Sequence, residues 1–157
     1  MERLARTDGL TGVANRRAWD DELPRELARA ARSGRPVCIA LLDLDHFKAY
    51  NDRHGHQAGD RLLKAAAAAW ESRLRKTDLL ARYGGEEFAV MLPDCGLDSG
   101  MEIAERCRVA GLVTGELTPG PTCPPGAAVV AAPRRDADGN RRPGRTWHAG
   151  IDVAGQA

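Results

Sequence analysis

Arg82-Tyr83-Gly84-Gly85-Glu86-Glu87-Phe88 decides the reading of this chain. Leu79-Leu80-Ala81 stands before it and Phe88-Ala89-Val90-Met91-Leu92 after it, each run the length of a strand. Two glycines between such runs signal a hairpin, because a tight primed turn needs positive φ. Successive side chains of an extended chain point to opposite faces, so Glu86 and Glu87 are expected to meet different surroundings and divide two roles. Bare backbone at Gly84 and Gly85 admits close approach of a phosphate or a base. A solvated acidic turn would show the same local pattern; the rest of the chain separates the two readings.

Upstream, Val37-Cys38-Ile39-Ala40-Leu41-Leu42 is almost continuously apolar, the pattern of a strand buried on both faces, and it runs into Asp43-Leu44-Asp45. Asp-x-Asp at a strand end puts two carboxylates on one side of the chain, where ligands of open sheets bind. A hard divalent cation takes such oxygen ligands together with substrate phosphates. His46-Phe47-Lys48 opens a short helix whose free N–H groups suit a phosphate, with the Lys48 ammonium alongside. The competing reading is a capped helix start with surface acids.

Asn51-Asp52 and Gly55-His56-Gln57-Ala58-Gly59-Asp60 read as a further turn. An Asp carboxylate accepts two parallel N–H bonds and an Asn amide both donates and accepts, which together suit guanine. Without context Asn51 and Asp60 read more readily as helix caps than as guanine contacts. His54 and His56 are taken as structural. A helix is expected from Asp60 to Lys76, with Leu62, Leu63, Ala66, Ala69, Trp70 and Leu74 inward and Arg73 and Arg75 in its last turn. Another is expected from about Ser99 to Val113, with Ile103, Ala104, Cys107 and Ala110 inward.

At the N-terminus, residues 7–17 form a turn-rich loop leading into a helix with Asn15 as N-cap. Trp19, Leu23, Leu27 and Ala31 recur every four residues and mark a buried face, which Pro24 should bend or weaken. Ser33-Gly34 ends this helix.

Composition bounds the rest. At 157 residues the chain is long enough for one domain with a sizeable core. A net charge of +1 offers no basic footprint for nucleic acid. Arginine outnumbers lysine 20 to 3, which is read as coding bias rather than function. Cys38, Cys95, Cys107 and Cys123 form no C-x-x-C pair, so reduced thiols in a cytoplasmic setting are expected rather than zinc or disulfides. No apolar run reaches membrane-spanning length and no signal-peptide core opens the chain.

Four spaced motifs have now appeared in order: Asp8-x-Leu10-Thr11-Gly12-x-x-Asn15-Arg16-Arg17; Asp43-x-Asp45-x-Phe47-Lys48-x-x-Asn51-Asp52; Gly55-His56-x-x-Gly59-Asp60; and Arg82-Tyr83-Gly84-Gly85-Glu86-Glu87-Phe88. Together they resemble the GGDEF domain of diguanylate cyclases, in its GGEEF form, over residues 1 to about 117. The resemblance implies an α/β (α+β) fold like that of nucleotide cyclases, with a central, mainly antiparallel sheet flanked by helices. It implies condensation of two GTP into cyclic di-GMP with release of pyrophosphate, by two subunits that face each other as a homodimer. On this resemblance Asp43, the Leu44 carbonyl and Glu86 hold Mg²⁺ (or Mn²⁺). Asn51 and Asp60 read guanine, His46, Phe47 and Lys48 hold phosphates at the Gly84–Gly85 loop, and Glu87 orients or deprotonates the 3′-hydroxyl. Arg75 and Asp78, in Arg75-Lys76-Thr77-Asp78, match the family's inhibitory site for cyclic di-GMP; a helix-end ion pair is the local alternative.

After Leu117 the resemblance stops. Residues 119–157 hold six of the nine prolines and five arginines but no Leu, Lys or Glu. The family's closing strand should be followed by a helix bearing a phosphate-binding Lys and Arg; here only Gly126–Ala131 reads as a strand and the last helix is missing. The expected organisation is therefore a GGDEF domain over 1–118 and an irregular Pro/Gly/Arg-rich tail over 119–157, as a frameshift or truncation near residue 120 would leave. A non-catalytic module that binds GTP or cyclic di-GMP is the alternative function.

Overall fold

The structure is a computed structural model that describes residues 6–44, 47–112, 125–131 and 146–149. The elements run β1 (Ala14–Asn15), α1 (Arg16–Ser33), β2 (Val37–Leu44), α2 (Phe47–His54), α3 (His56–Glu71), β3 (Leu79–Arg82), β4 (Glu87–Pro93), α4 (Leu97–Leu112), β5 (Pro125–Ala131) and β6 (Thr146–Ala149). The strands form a single sheet in the order β1-β3-β4-β2-β5-β6. β1 pairs with β3 in parallel and every other pairing is antiparallel, as the mainly antiparallel expectation requires.

Alternation along β2 and β4 divides the core in two. Cys38, Ala40, Leu42 and Leu44 of β2 join Phe88, Val90 and Leu92 of β4 beneath Leu62, Leu63, Ala66 and Trp70 of α3 and Ile103, Ala104 and Cys107 of α4. Trp70 meets Phe88 edge-on, with ring centroids 5.0 Å apart. The other face is covered by α1, where Trp19 packs with Val37, Ala81, Ala89 and Met91.

Local chemistry sets the ends of α1. The Asn15 side chain accepts from the Ala18 N–H as N-cap, and Gly34 closes the helix in the left-handed region at φ 70°. Pro24 lies inside α1 without interrupting it. The spacing of four misread its buried face. Each step of four advances about 400° on a helix of 3.6 residues per turn, a drift of about 40°. Trp19 is therefore buried and Leu23 packs against the core, while Leu27 and Ala31 have turned outward.

Three further expectations are corrected. α3 begins at His56, not Asp60, and ends at Glu71, which leaves Arg73 and Arg75 in the turn beyond it. β2 is not covered on both faces along its whole length, because Leu41 is 46% exposed on the α1 side. The strand expected at Gly126–Ala131 is present as β5 beside β2, but a further strand that was not expected in the tail, β6, pairs beside it. The residues on which the missing closing helix was expected lie, apart from these strands, outside the described residues, as does Cys123.

Candidate active site

β2 and β4 pair in a register that sets Asp43 directly opposite Glu87 and Leu42 opposite Phe88. The Leu44 N–H donates to the Glu86 carbonyl at 3.3 Å, so the end of β2 is bonded to the loop that enters β4. Asp43, Glu86 and Glu87, assembled from two chain segments, thus meet at one end of the sheet. Glu86 is half-buried in the loop and Glu87 is exposed as the first residue of β4.

The hairpin tip differs from the expected primed turn. Residues 83–86 form a four-residue connection in which the Tyr83 and Gly84 N–H groups both donate to the Glu87 carbonyl, at 2.8 and 3.1 Å. Neither Gly84 nor Gly85 has positive φ. A Cβ on Gly84 would meet Oε2 of Glu87 at 2.8 Å, but that is the free end of an exposed side chain, which can swing aside. Neither backbone handedness nor a rigid neighbour therefore demands glycine here.

The donor set fits a hard divalent cation. Asp43 and Glu86 offer carboxylate oxygens and Leu44 a carbonyl oxygen, the hard donors that such an ion takes. Among the described residues no group of three or more His, Cys, Asp or Glu converges as a ready-made metal cage. Mg²⁺ commonly binds through one or two carboxylates and completes its shell with water and phosphate oxygens. Asp45 and His46, the neighbours of this set in sequence, lie outside the described residues.

Phe47 and Lys48 open α2, with Phe47 buried and Lys48 exposed at the helix start. Asn51 and Asp60 lie within α2 and α3, so neither is a cap; Gly55, at φ 88°, precedes α3 without a side-chain bond. Oδ1 of Asn51 is buried without a hydrogen-bond partner among the described residues, and a Cβ on Gly59 would collide with it. Gly59 therefore sits inside a helix because the Asn51 amide occupies the space a side chain would take. This contact brings Asn51 next to the residue that precedes Asp60, an exposed carboxylate. A buried acceptor with no protein donor is what a ligand N–H can satisfy.

At the opposite end of β3, Asp78 accepts from the Arg75 N–H, Nε and Nη2, at 2.8, 3.1 and 2.8 Å. Nη2 of Arg75 also donates to the Pro93 carbonyl at 2.8 Å. The Asp78 side chain has no exposed surface, whereas that of Arg75 is 48% exposed. Asp78 is thus turned inward to hold Arg75. The hydrogen bonds to Asp78 keep the Arg75 guanidinium protonated above its ordinary range, against the opposing effect of burial. A cleft of about 400 Å³ lies at this end, between α1 and the start of β3, with Lys76, Thr77 and Asp78 in its wall.

Sequence reasoning quoted Asp8, Arg16, Arg82 and Tyr83 inside motifs without giving them roles. Arg82 donates through Nε and Nη2 to the Gly85 carbonyl at 3.0 and 2.8 Å, and through Nη1 to both Asp8 oxygens at 3.3 Å. The Thr11 hydroxyl and N–H hold Asp8 in turn, at 2.7 and 2.8 Å. Burial pushes the Asp8 carboxyl up, but the Thr11 bonds and the Arg82 charge outweigh it and hold the group below its ordinary value of 3.8. Arg16 lies over the Tyr83 ring at 4.5 Å. Nothing local in the sequence signals these contacts.

Comparison with known proteins accords with this arrangement. The family described as "Diguanylate cyclase, GGDEF domain" matches residues 5–112. Diguanylate cyclase DgcP of Pseudomonas aeruginosa is 49% identical over 110 residues, which cover 70% of this chain and 16% of that protein. The chain therefore spans about a sixth of that relative's length. The fold is similar to diguanylate cyclase SiaD of Pseudomonas aeruginosa, solved with its activator SiaC, at a TM-score of 0.77 and 34% identity over 87% of this chain and 54% of that one. It is also similar to the GGDEF domain of DgcB from Caulobacter crescentus, solved with c-di-GMP, at a TM-score of 0.72 and 36% identity over 80% of this chain and 76% of that one. With its signature motif on the β3–β4 hairpin and its carboxylates gathered at that end of the sheet, the chain belongs to the GGDEF domain family of diguanylate cyclases.

Proposed function

We propose that this chain is a diguanylate cyclase domain that joins two GTP molecules into cyclic di-GMP in the cytoplasm. The observation that carries the reading is the meeting of Asp43, Glu86 and Glu87 at one sheet end, beside the helix pair that carries Asn51 and Asp60. Asp43, the Leu44 carbonyl and Glu86 are the groups that would hold Mg²⁺ or Mn²⁺. When bound, the ion supplies positive charge against the triphosphate. His46, Phe47 and Lys48 bind phosphate oxygens, and Asn51 and Asp60 select guanine through its N–H and acceptor edge. Glu87 orients the 3′-hydroxyl and receives its proton as the 3′-oxygen bonds to the α-phosphorus of the other GTP. The bond from that phosphorus to the bridging oxygen breaks and pyrophosphate leaves. Two copies must face each other, because each supplies one nucleotide, and alignment contributes strongly to the rate beside charge stabilisation. Half-exposed Arg75, held by Asp78, is the group that meets cyclic di-GMP in product inhibition.

Leu41 is 46% exposed on the sheet face that carries Asp43 and Glu87. The test is incubation with GTP and Mg²⁺ followed by chromatography. Cyclic di-GMP should form at a rate that rises faster than linearly with protein concentration. Asp60→Ala should lower the preference for GTP over ATP by about tenfold or more, through loss of a paired carboxylate. GTP binding without product at any protein concentration would replace this reading with that of a non-catalytic nucleotide receptor.

A further inference from the structure

We propose that Asp8 is a positioning residue for the Gly84–Glu87 loop: it anchors Arg82 so that the guanidinium fixes the Gly85–Glu86 peptide and stays off the neighbouring carboxylates. This rests on the reading of Glu86 as a metal ligand and deepens it.

Arg82 is the last residue of β3, and its fork is divided between two jobs. Nε and Nη2 grip the Gly85 carbonyl at 3.0 and 2.8 Å, while Nη1 reaches both oxygens of Asp8 at 3.3 Å. The Gly85 carbonyl belongs to the peptide that leads into Glu86, and the Glu86 carbonyl accepts from the Leu44 N–H at 3.3 Å. Both peptides flanking the Glu86 side chain are therefore held, one by Arg82 and one by β2. Gly85 has open space around it and is exposed, so packing does little to hold this peptide. The Arg82 and Asp8 side chains are each only 19% exposed, which makes their pairing stronger than that of a solvated surface pair. Asp8 is itself fixed by the Thr11 hydroxyl and N–H.

Charge supplies the second half of the argument. A guanidinium within a few residues of Glu86 and Glu87 is attracted to them, and there it would compete with a cation for the same oxygens. Asp8 offers Arg82 a carboxylate from a distant segment of the chain. The separation of 74 residues between the two makes the contact a property of the fold, not of the motif.

The test uses the intact chain with Asp8→Asn, Arg82→Lys, their combination and Asp8→Glu. Amide exchange is read at Leu44 and Gly84, which bond the loop, and at Val90 in the middle of β4 as a reference. Half-saturating Mg²⁺ for binding of a fluorescent GTP analogue is read in parallel. Asp8→Asn and Arg82→Lys should each speed exchange at Leu44 and Gly84 and raise the Mg²⁺ requirement by about tenfold, the usual scale for groups that orient a ligand. Val90 should stay protected, the combination should be no worse than either single change, and Asp8→Glu should recover most of the loss. Faster exchange at Val90 to the same degree would make the contact merely structural and overturn the proposal. So would unchanged exchange in the loop, or additive effects in the combination. If the unaltered chain fails to bind the analogue in Mg²⁺, the cyclase reading falls, while the exchange data still decide the role of Asp8.

Discussion

Two arginine–carboxylate pairs bracket β3, and they differ in almost every physical respect. Arg75 and Asp78, three residues apart, close a turn whose carboxylate has no exposed surface and whose guanidinium also reaches the Pro93 carbonyl. Arg82 and Asp8 are 74 residues apart and tie the N-terminal loop to the loop that carries Glu86. The first pair ties a local turn to the far end of the same hairpin, at Pro93. The second makes the other end depend on a distant segment, and that is the end where the carboxylates gather. The lesson is a division of labour along a single strand, with stability built in locally at one end and the site held by tertiary contacts at the other.

The largest effect that would separate the two ends is on turnover. Glu86→Gln removes the charge of the proposed metal ligand with little change in volume, so cyclic di-GMP formation should fall by more than about a hundredfold, the scale for losing a group that stabilises transition-state charge. The melting temperature should move by no more than a few degrees. A large drop in melting temperature would mean that this end is structural after all.

Asp78→Ala probes the other end and should do the reverse. Three hydrogen bonds to an inward carboxylate are lost, but half-exposed Arg75 can be rehydrated, so the cost is about 2 kcal/mol. For a folded unit of this size that is roughly a 10 °C fall in melting temperature, measurable by circular dichroism. Turnover per folded molecule should be almost unchanged.

Gly59→Ala, between these extremes, drives a methyl into the Asn51 amide. Displacing that side chain should cost about 1–3 kcal/mol as overpacking and should weaken GTP more than ATP in competition binding. Equal loss for both nucleotides would separate Asn51 from guanine selection.

The smallest effects are on pH dependence. The Asp8 carboxyl is held below 3.8 in the folded state, so its contribution is present above that value and is lost as the pH falls through its lower folded-state value. Burial pushes the Cys38 and Cys107 thiols up to about 11 from 9.0, and neighbouring charges act only secondarily. Their contribution is therefore complete below pH 9 and is lost as the pH rises towards 11. Urea melts across pH should show Asp8→Asn flattening only the acid limb and Cys107→Ala only the alkaline one.

Much of the fold is written in short-range pattern. The Asn15 cap, the Gly34 stop, the inward face of α4 and the β3–β4 hairpin all depend on residues within one or two turns of each other, where local sterics and hydrogen bonds decide. The candidate site residues were also legible by name, because their spacing within motifs survives in the linear text. What they do to one another was not. Gly59 reads as a turn residue until α2 is packed on α3, when the Asn51 amide takes the space of its missing side chain. Gly84 reads as a φ > 0 position until the folded loop holds it without positive φ. Leu41 reads as core until β2 is seen to extend past the cover that α1 provides. Asp8 and Arg82 read as two unrelated charges until the parallel pairing of β1 with β3 brings Asn15 beside Arg82 and the preceding loop within reach. Most elements up to α4, and the chemical groups they carry, follow from interactions between near neighbours in the chain and are readable there. Which carboxylate faces which, and which arginine pairs with Asp8, depends on strand register and helix packing across dozens of residues and emerges on folding.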